Sequence, residues 1–178
     1  MKVFWAKGFA ATSTDELVQA MGIGRQSLYN AFGDKRQLYL EALAAYQRNT
    51  TIGHLQRLNG PASPLAGLYD LLVGLVAEDD GLRAMGCMGV GSVGEFGASD
   101  PELCALRTKA GAAIHRRLAE RLREGQHSGE IDAGLLVEDA ASFIQMTMTG
   151  IQLAARGGAG AEDLHRMARF AVDRLKSL

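Results

Sequence analysis

GFAATSTDELVQAMGIGRQSLYNAFGDKRQLYLEAL, Gly8 to Leu43, is the segment with the densest local structural signals. Within it, Ser13-Thr-Asp-Glu16 matches a capping box, in which the serine hydroxyl accepts from the Glu16 amide and the Glu16 carboxylate reaches back. A helix is therefore expected from about Thr14, carrying Leu17, Val18 and Met21 inward. It should end at Gly22, which tolerates the left-handed conformation of a helix C-terminus. After a tight turn that tucks Ile23 inward, a second short helix runs from about Arg25 to Asn30. Leu28 faces in, and Arg25, Gln26, Ser27, Tyr29 and Asn30 are turned variously outward. Helix, glycine turn, helix is a helix-turn-helix plan. Asp34 then caps a third helix, whose first turn holds Lys35 and Arg36 and whose apolar residues Leu38, Leu40, Ala42, Leu43 and Tyr46 carry it onward.

Outside this segment the pattern stays helical. Ser63-Pro64 and Asp100-Pro101 each pair a capping side chain with proline at the first helical position. Apolar residues recur at helical spacing after each, as Leu65, Leu68, Leu72, Leu75, Val76 and as Leu103, Leu106, Ala110, Ile114, Leu118, Leu122. Residues 135–156 are apolar on nearly all sides and so need cover on a second face. Residues 162–177 form one stripe, Leu164, Met167, Ala168, Ala171, Val172 and Leu175. Breaks at 60–63, 98–101, 125–134 and 157–160 cut the chain beyond residue 60 into four or five helices. No strand alternation persists, so the fold is all-α. A boundary falls between Tyr46 and Pro61, crossed by one long helix.

The 178 residues are 47% hydrophobic and 22% charged with a formal net charge of −1, which excludes a globally basic nucleic-acid binder. The charge is uneven, because residues 1–52 carry six Lys and Arg against four Asp and Glu and so are net positive. The longest uncharged apolar stretch, Ala140 to Ala155, is too short and too polar for a membrane span, so no membrane partner is expected. MKVFWAKGFAATS lacks the apolar core of a signal peptide, which makes the cytoplasm the expected compartment. Cys87 and Cys104 have neither disulfide-scaffold nor zinc spacing. Ser, His and Asp residues occur without a nucleophile motif, so no catalytic residue, metal site or cofactor is assigned.

Gly89-x-Gly91-x-x-Gly94 formally matches a dinucleotide fingerprint, which would make the chain a small nucleotide-dependent helical enzyme. That motif works only between a strand and a helix, and no strand pattern precedes it. A helical protein-interaction module without DNA binding is the other alternative. Salt-sensitive binding to duplex DNA separates it from a DNA-reading protein.

Gly8-x-x-Ala11-Thr12-Ser13, Met21-Gly-Ile-Gly24 and Leu28-Tyr29-x-x-Phe32-x-x-Lys35, in this order, resemble the DNA-binding segment of the TetR family of bacterial transcriptional regulators. The resemblance implies a helix-turn-helix DNA-binding domain at 1–48 and a helical ligand-binding and dimerisation domain at 49–178. It makes Arg25 to Asn30 the recognition helix, with Arg25, Gln26, Ser27 and Asn30 as base or phosphate contacts, and Thr14, Tyr29 and Lys35 as phosphate contacts. Arg36 is expected beside Lys35 on the phosphates. Gly24 stands where the family usually carries a serine cap. The chain opens inside the family's first helix, and loss of a basic lead-in would lower affinity without moving the reading helix. The implied partners are double-stranded operator DNA, a second copy joined through helices 135–156 and 162–177, and a small, largely apolar effector that releases a repressor from its operator. Gly86, Cys87 and Glu95 match a glycine-cysteine segment that flanks the ligand cavity in many members. The candidate cavity residues are Cys87, Met88, Gly91, Phe96, His115, Phe143, Met146, Met148 and Gln152. For Gly89, Gly91 and Gly94, widening of a cavity and close helix packing both remain open.

Overall fold

The computed structural model describes residues 1–177, and Leu178, the last residue of the expected second domain, lies outside them. The described residues form ten helices: α1 (Lys2–Lys7), α2 (Thr14–Met21), α3 (Arg25–Phe32), α4 (Lys35–Asn59), α5 (Pro64–Val73), α6 (Asp80–Ala84), α7 (Met88–Phe96), α8 (Pro101–Ser128), α9 (Val137–Arg156) and α10 (Ala161–Asp173). The only β-type pairing among them is an isolated bridge between Ile131 and Lys176, so the all-α expectation holds.

The caps sit where the side chains dictate. The Glu16 amide donates to Ser13 Oγ at 3.2 Å and the Ser13 amide to Glu16 Oε2 at 2.8 Å, closing the capping box. Lys7 and these Ser13 contacts push the Glu16 carboxyl down to about 2. Gly22 is left-handed at φ 66°. Asp34, Ser63 and Asp100 accept from the first-turn amides of α4, α5 and α8. Beyond residue 60 there are six helices, one more than the upper expectation, because the chain also breaks between α5 and α6 and between α6 and α7. Gly125, read as a break, lies inside α8. A Cβ there would stand 2.4 Å from the Ile131 side chain, so this glycine serves a close approach and not a turn.

α4 is 25 residues long, about 37 Å at the standard rise, and joins two cores. Its first half sends Leu38, Tyr39, Ala42, Leu43 and Tyr46 into a core with Phe4, Leu17 and Leu28. Its end places Leu58 in the larger core of α5, α8, α9 and α10. Met88 and Leu103 also belong to the first core, so α7 and the start of α8 are packed onto the N-terminal helices. α5 lies so close to α4 that a Cβ on Gly67 would approach the Leu58 carbonyl oxygen to 2.3 Å. Backbone cannot swing aside as a side chain can. Gly67→Ala is therefore expected to cost about 1–3 kcal/mol by overpacking, read as a lower urea midpoint at unchanged slope.

Candidate nucleic-acid interface and effector cavity

α2 and α3 meet through Leu17 and Leu28, and Leu28 is fully buried. Ile23 is half-buried against the same core. Met21, expected inside, is 39% exposed, because the chain turns away at Gly22 directly after it. With Leu28 as its anchor, α3 presents Arg25, Gln26, Ser27, Tyr29 and Asn30 to solvent. No acidic residue lies on this helix. Gln26 Nε2 donates to Asn30 Oδ1 at 2.9 Å, which aligns two amide groups along one face. Arg25 is paired with Asp15 on α2, a contact between two exposed side chains that a phosphate or base edge could replace. Gly24 caps α3 with backbone alone, leaving first-turn amides without a side-chain partner. Thr14 is the first residue of α2.

The two cations opening α4 are engaged differently. The Lys35 ammonium stands 4.3 Å from the centroid of the Phe9 ring and is half-buried. Arg36 does not stand free for a phosphate as expected. Its guanidinium donates to Asp100 Oδ2 at 2.9 Å and lies 2.6 Å from Glu102 Oε2 at the start of α8. Arg36 and Leu103 both show that the head of α8 docks on the N-terminal helices.

A cavity of about 1060 Å³ opens between α4, α6, α7, α8 and α9. Of the nine candidate cavity residues, Cys87, Met148 and Gln152 line it. The other six are elsewhere. Met88 is buried in the N-terminal core, and Phe96 packs on Phe9 and Tyr39 with centroids 5.5 and 5.8 Å apart. Gly91 does not face the cavity, whereas Gly89 and Gly94 do. His115 lies in a separate shallow hollow, 2.9 Å from both Gln145 Oε1 and Glu138 Oε2, and these contacts raise its pKa, Glu138 most. Phe143 and Met146 point out of the bundle at 41% and 72% exposure. The cause is helix phase: α9 turns Gln145, Met148, Thr149 and Gln152 to the cavity, and Phe143 and Met146 lie on another face.

Sequence reading missed the α4 wall, Tyr46, Gln47, Thr50, His54 and Arg57. The polar run after Tyr46 in a helix otherwise bound to two cores was the available sign. The fingerprint glycines all fall within α7, and no strand precedes them, so the nucleotide-loop reading is overturned.

α7 touches both regions. Its Gly89, Val90, Val93 and Gly94, with Cys87 just before it, line the cavity. At its end the Glu95 carboxylate accepts from the Phe9 and Ala10 amides at 2.8 and 3.0 Å. Gly8 makes this possible, since φ is +81° there and a Cβ would come within 2.7 Å of Glu95 Oε1. Trp5 Nε1 donates to the Gly86 carbonyl at 2.9 Å just before α7, and Arg156 of α9 reaches the Met85 carbonyl at 2.8 Å.

An exposed, acid-free helix held by a glycine turn against its partner defines a helix-turn-helix DNA-binding protein. Residues 1–42 match the family model of bacterial regulatory proteins, tetR family. The chain is 30% identical over 133 residues to the HTH-type transcriptional regulator YezE of Bacillus subtilis, covering 74% of this chain and 69% of that protein. It is 27% identical over 172 residues to the HTH-type transcriptional repressor ComR of Escherichia coli, covering 94% of this chain and 81% of that one. Among solved structures, a cysteine-substituted TetR family regulator CifR complexed with 26-base-pair double-strand operator DNA superimposes with a TM-score of 0.77 at 30% identity, over 96% of this chain and 90% of that one. The chain belongs to the TetR family of DNA-binding transcriptional regulators, and it is a regulator and not an enzyme. A TetR-family regulator from Agrobacterium tumefaciens shares the fold at a TM-score of 0.84 with 17% identity, over 98% and 92% of the two chains. No helix among the described residues is long and apolar enough to cross a membrane.

Proposed function

We propose that this chain acts in the cytoplasm as a homodimeric repressor that holds double-stranded operator DNA until a small effector enters the α4–α9 cavity. Residues 1–48 are the DNA-reading unit and 49–178 the ligand-binding and dimerisation unit. The observation that carries this reading is the solvent-facing row Arg25, Gln26, Ser27, Tyr29, Asn30 on a helix anchored by a fully buried Leu28. Arginine matches the guanine major-groove edge and glutamine or asparagine the adenine edge. Thr14, Tyr29, Lys35 and the free amides after Gly24 are the candidate phosphate donors.

One eight-residue helix reads too little DNA alone. A two-fold pair reads half-sites about 34 to 36 Å apart, or a multiple of that. α9 and α10 supply the face for such a pair: Phe143, Met146, Leu153, Met167 and Phe170 are 41–72% exposed side by side on two helices. Met167, expected within the buried stripe, belongs to this face instead. Self-pairing is the two-sided cover that residues 135–156 require. Release follows if the effector binds one dimer geometry better than the other. α7 is the connecting part, since it lines the cavity and grips the Phe9 and Ala10 amides through Glu95.

The test is binding to duplexes selected from a random pool. Arg25→Ala is expected to weaken binding by about 1–3 kcal/mol and to relax preference at one base position. Lys35→Ala should weaken all sequences alike and flatten the salt dependence. Retained affinity and unchanged preference in the double variant would refute the reading.

A further inference from the structure

The effector reading above leaves open what chemistry the cavity accepts, and its wall has an uneven charge. Arg57, Arg83 and Arg107 line it together with His54, and no aspartate or glutamate does. Arg83 is already engaged, by Asp80 and by the Ala77 and Glu78 carbonyls. Arg57 and Arg107 have no acidic partner among the described residues. Arg107 gives one guanidinium nitrogen to the Gly97 carbonyl and the Cys104 sulfur, while its other terminal nitrogen is buried without a hydrogen-bond partner. His54 Nδ1 is likewise buried and unpartnered. Glu95, at the end of the same α7 wall, is committed to the Phe9 and Ala10 amides. Buried cations are normally paired, and a buried donor normally has an acceptor. Between these polar points the wall is apolar, through Leu75, Val76, Val90, Val93, Ile114 and Met148.

We propose that the cavity selects a small amphipathic anion, its carboxylate neutralising Arg107 and its apolar body lying against Val90, Val93, Ile114 and Met148. Arg57 adds positive field from the α4 wall. His54 offers a hydrogen bond to a hydroxyl or carbonyl group on the same molecule. This rests on the effector reading and replaces its largely apolar ligand with one that must carry a negative head. A carboxylate supplies the missing acceptor and the missing counter-charge at once, which a neutral hydrocarbon cannot do.

The full-length chain is loaded with the neutral fluorophore N-phenyl-1-naphthylamine, which is then displaced by decanoate, decanol and decylamine. Decanoate is expected to displace it at concentrations roughly tenfold below decanol, one charge-assisted contact's worth, with decylamine weakest. Arg107→Met should erase the decanoate advantage and leave decanol unchanged. Arg57→Met, at an exposed position, should reduce the advantage about threefold and decides the matter if the first variant loses its helical circular dichroism. No uptake of the fluorophore, decanol equal to decanoate, or a full advantage retained in the deciding variant would overturn the proposal. DNA binding measured on the same samples separates the two readings. Anion preference without DNA binding supports the cavity assignment and sinks the regulator mechanism, and DNA binding without anion preference does the reverse.

Discussion

Met146→Arg is expected to leave a folded monomer whose affinity for selected duplex DNA falls by roughly a hundredfold or more at fixed salt. Met146 is 72% exposed, between Phe143 and Leu153 along α9 and alongside Met167 and Phe170 of α10, so the substitution touches no buried contact of the protomer itself. A two-fold interface brings the same patch of both copies together, so each arginine would be desolvated against an apolar face without a counter-charge. Leaving an uncompensated buried charge costs roughly 3–5 kcal/mol, enough to dissociate a dimer of ordinary affinity. Analytical ultracentrifugation reads the mass, and circular dichroism checks that the helices persist. A variant that stays dimeric and binds DNA as before would move the interface elsewhere on the molecule.

Acid should destabilise the protein through His54 in particular. Burial, with the Arg57 charge beside it, pushes this imidazole down to about 4 from an ordinary 6.5. The folded state therefore takes up its proton later than the unfolded chain does. The sign follows from linkage: stability is full above the unfolded value of 6.5 and falls as pH drops toward 4, because the unfolded state binds more protons across that window. With about 1.4 kcal/mol per tenfold difference in proton affinity, the loss reaches about 2 kcal/mol by pH 5. His54→Gln, which keeps a polar group and removes the titration, should abolish this fall in the urea midpoint between pH 7 and pH 5, while His115, whose contacts raise its pKa, keeps its opposite contribution in both proteins. The depressed carboxyls of Glu16, Asp100 and Glu138 act at lower pH and remain in the variant. An identical pH profile in wild type and variant would show that His54 is solvated and ordinary.

The N-terminal unit was legible because its signals are local. Ser13 with Glu16, Gly22, and Asp34 each act on backbone within four residues, so side-chain chemistry alone settles where those helices begin and end. The exposed row on α3 was equally legible once Leu28 was assigned inward, since period 3.6 then turns Gln26 and Asn30 out, and Arg25 stands at the open first turn of the helix. The cavity was not. Residues on α9 were chosen by type, as adaptable methionine and phenylalanine, while lining depends on helix phase. A helix apolar all round offers no asymmetry from which to read that phase. Met167, at the edge of its stripe, and Met21, at the end of α2, were placed inward by their apolar type, although both are exposed. Arg36 shows a further limit, because its partners Asp100 and Glu102 lie some 64 positions away or more, and no spacing rule reaches them.

What the chain's own order of residues determined is the all-α class, the helix-turn-helix and the identity of its outward donors, since caps, glycine turns and amphipathic period are short-range properties of the backbone. What only tertiary structure decided is which faces of α7, α8 and α9 enclose the cavity, that one terminal guanidinium nitrogen of Arg107 and Nδ1 of His54 are buried without partners, and that Glu95 holds the reading unit by its amides. These follow from packing between segments far apart in sequence, where distance, burial and missing counter-charges exist only after the helices have docked.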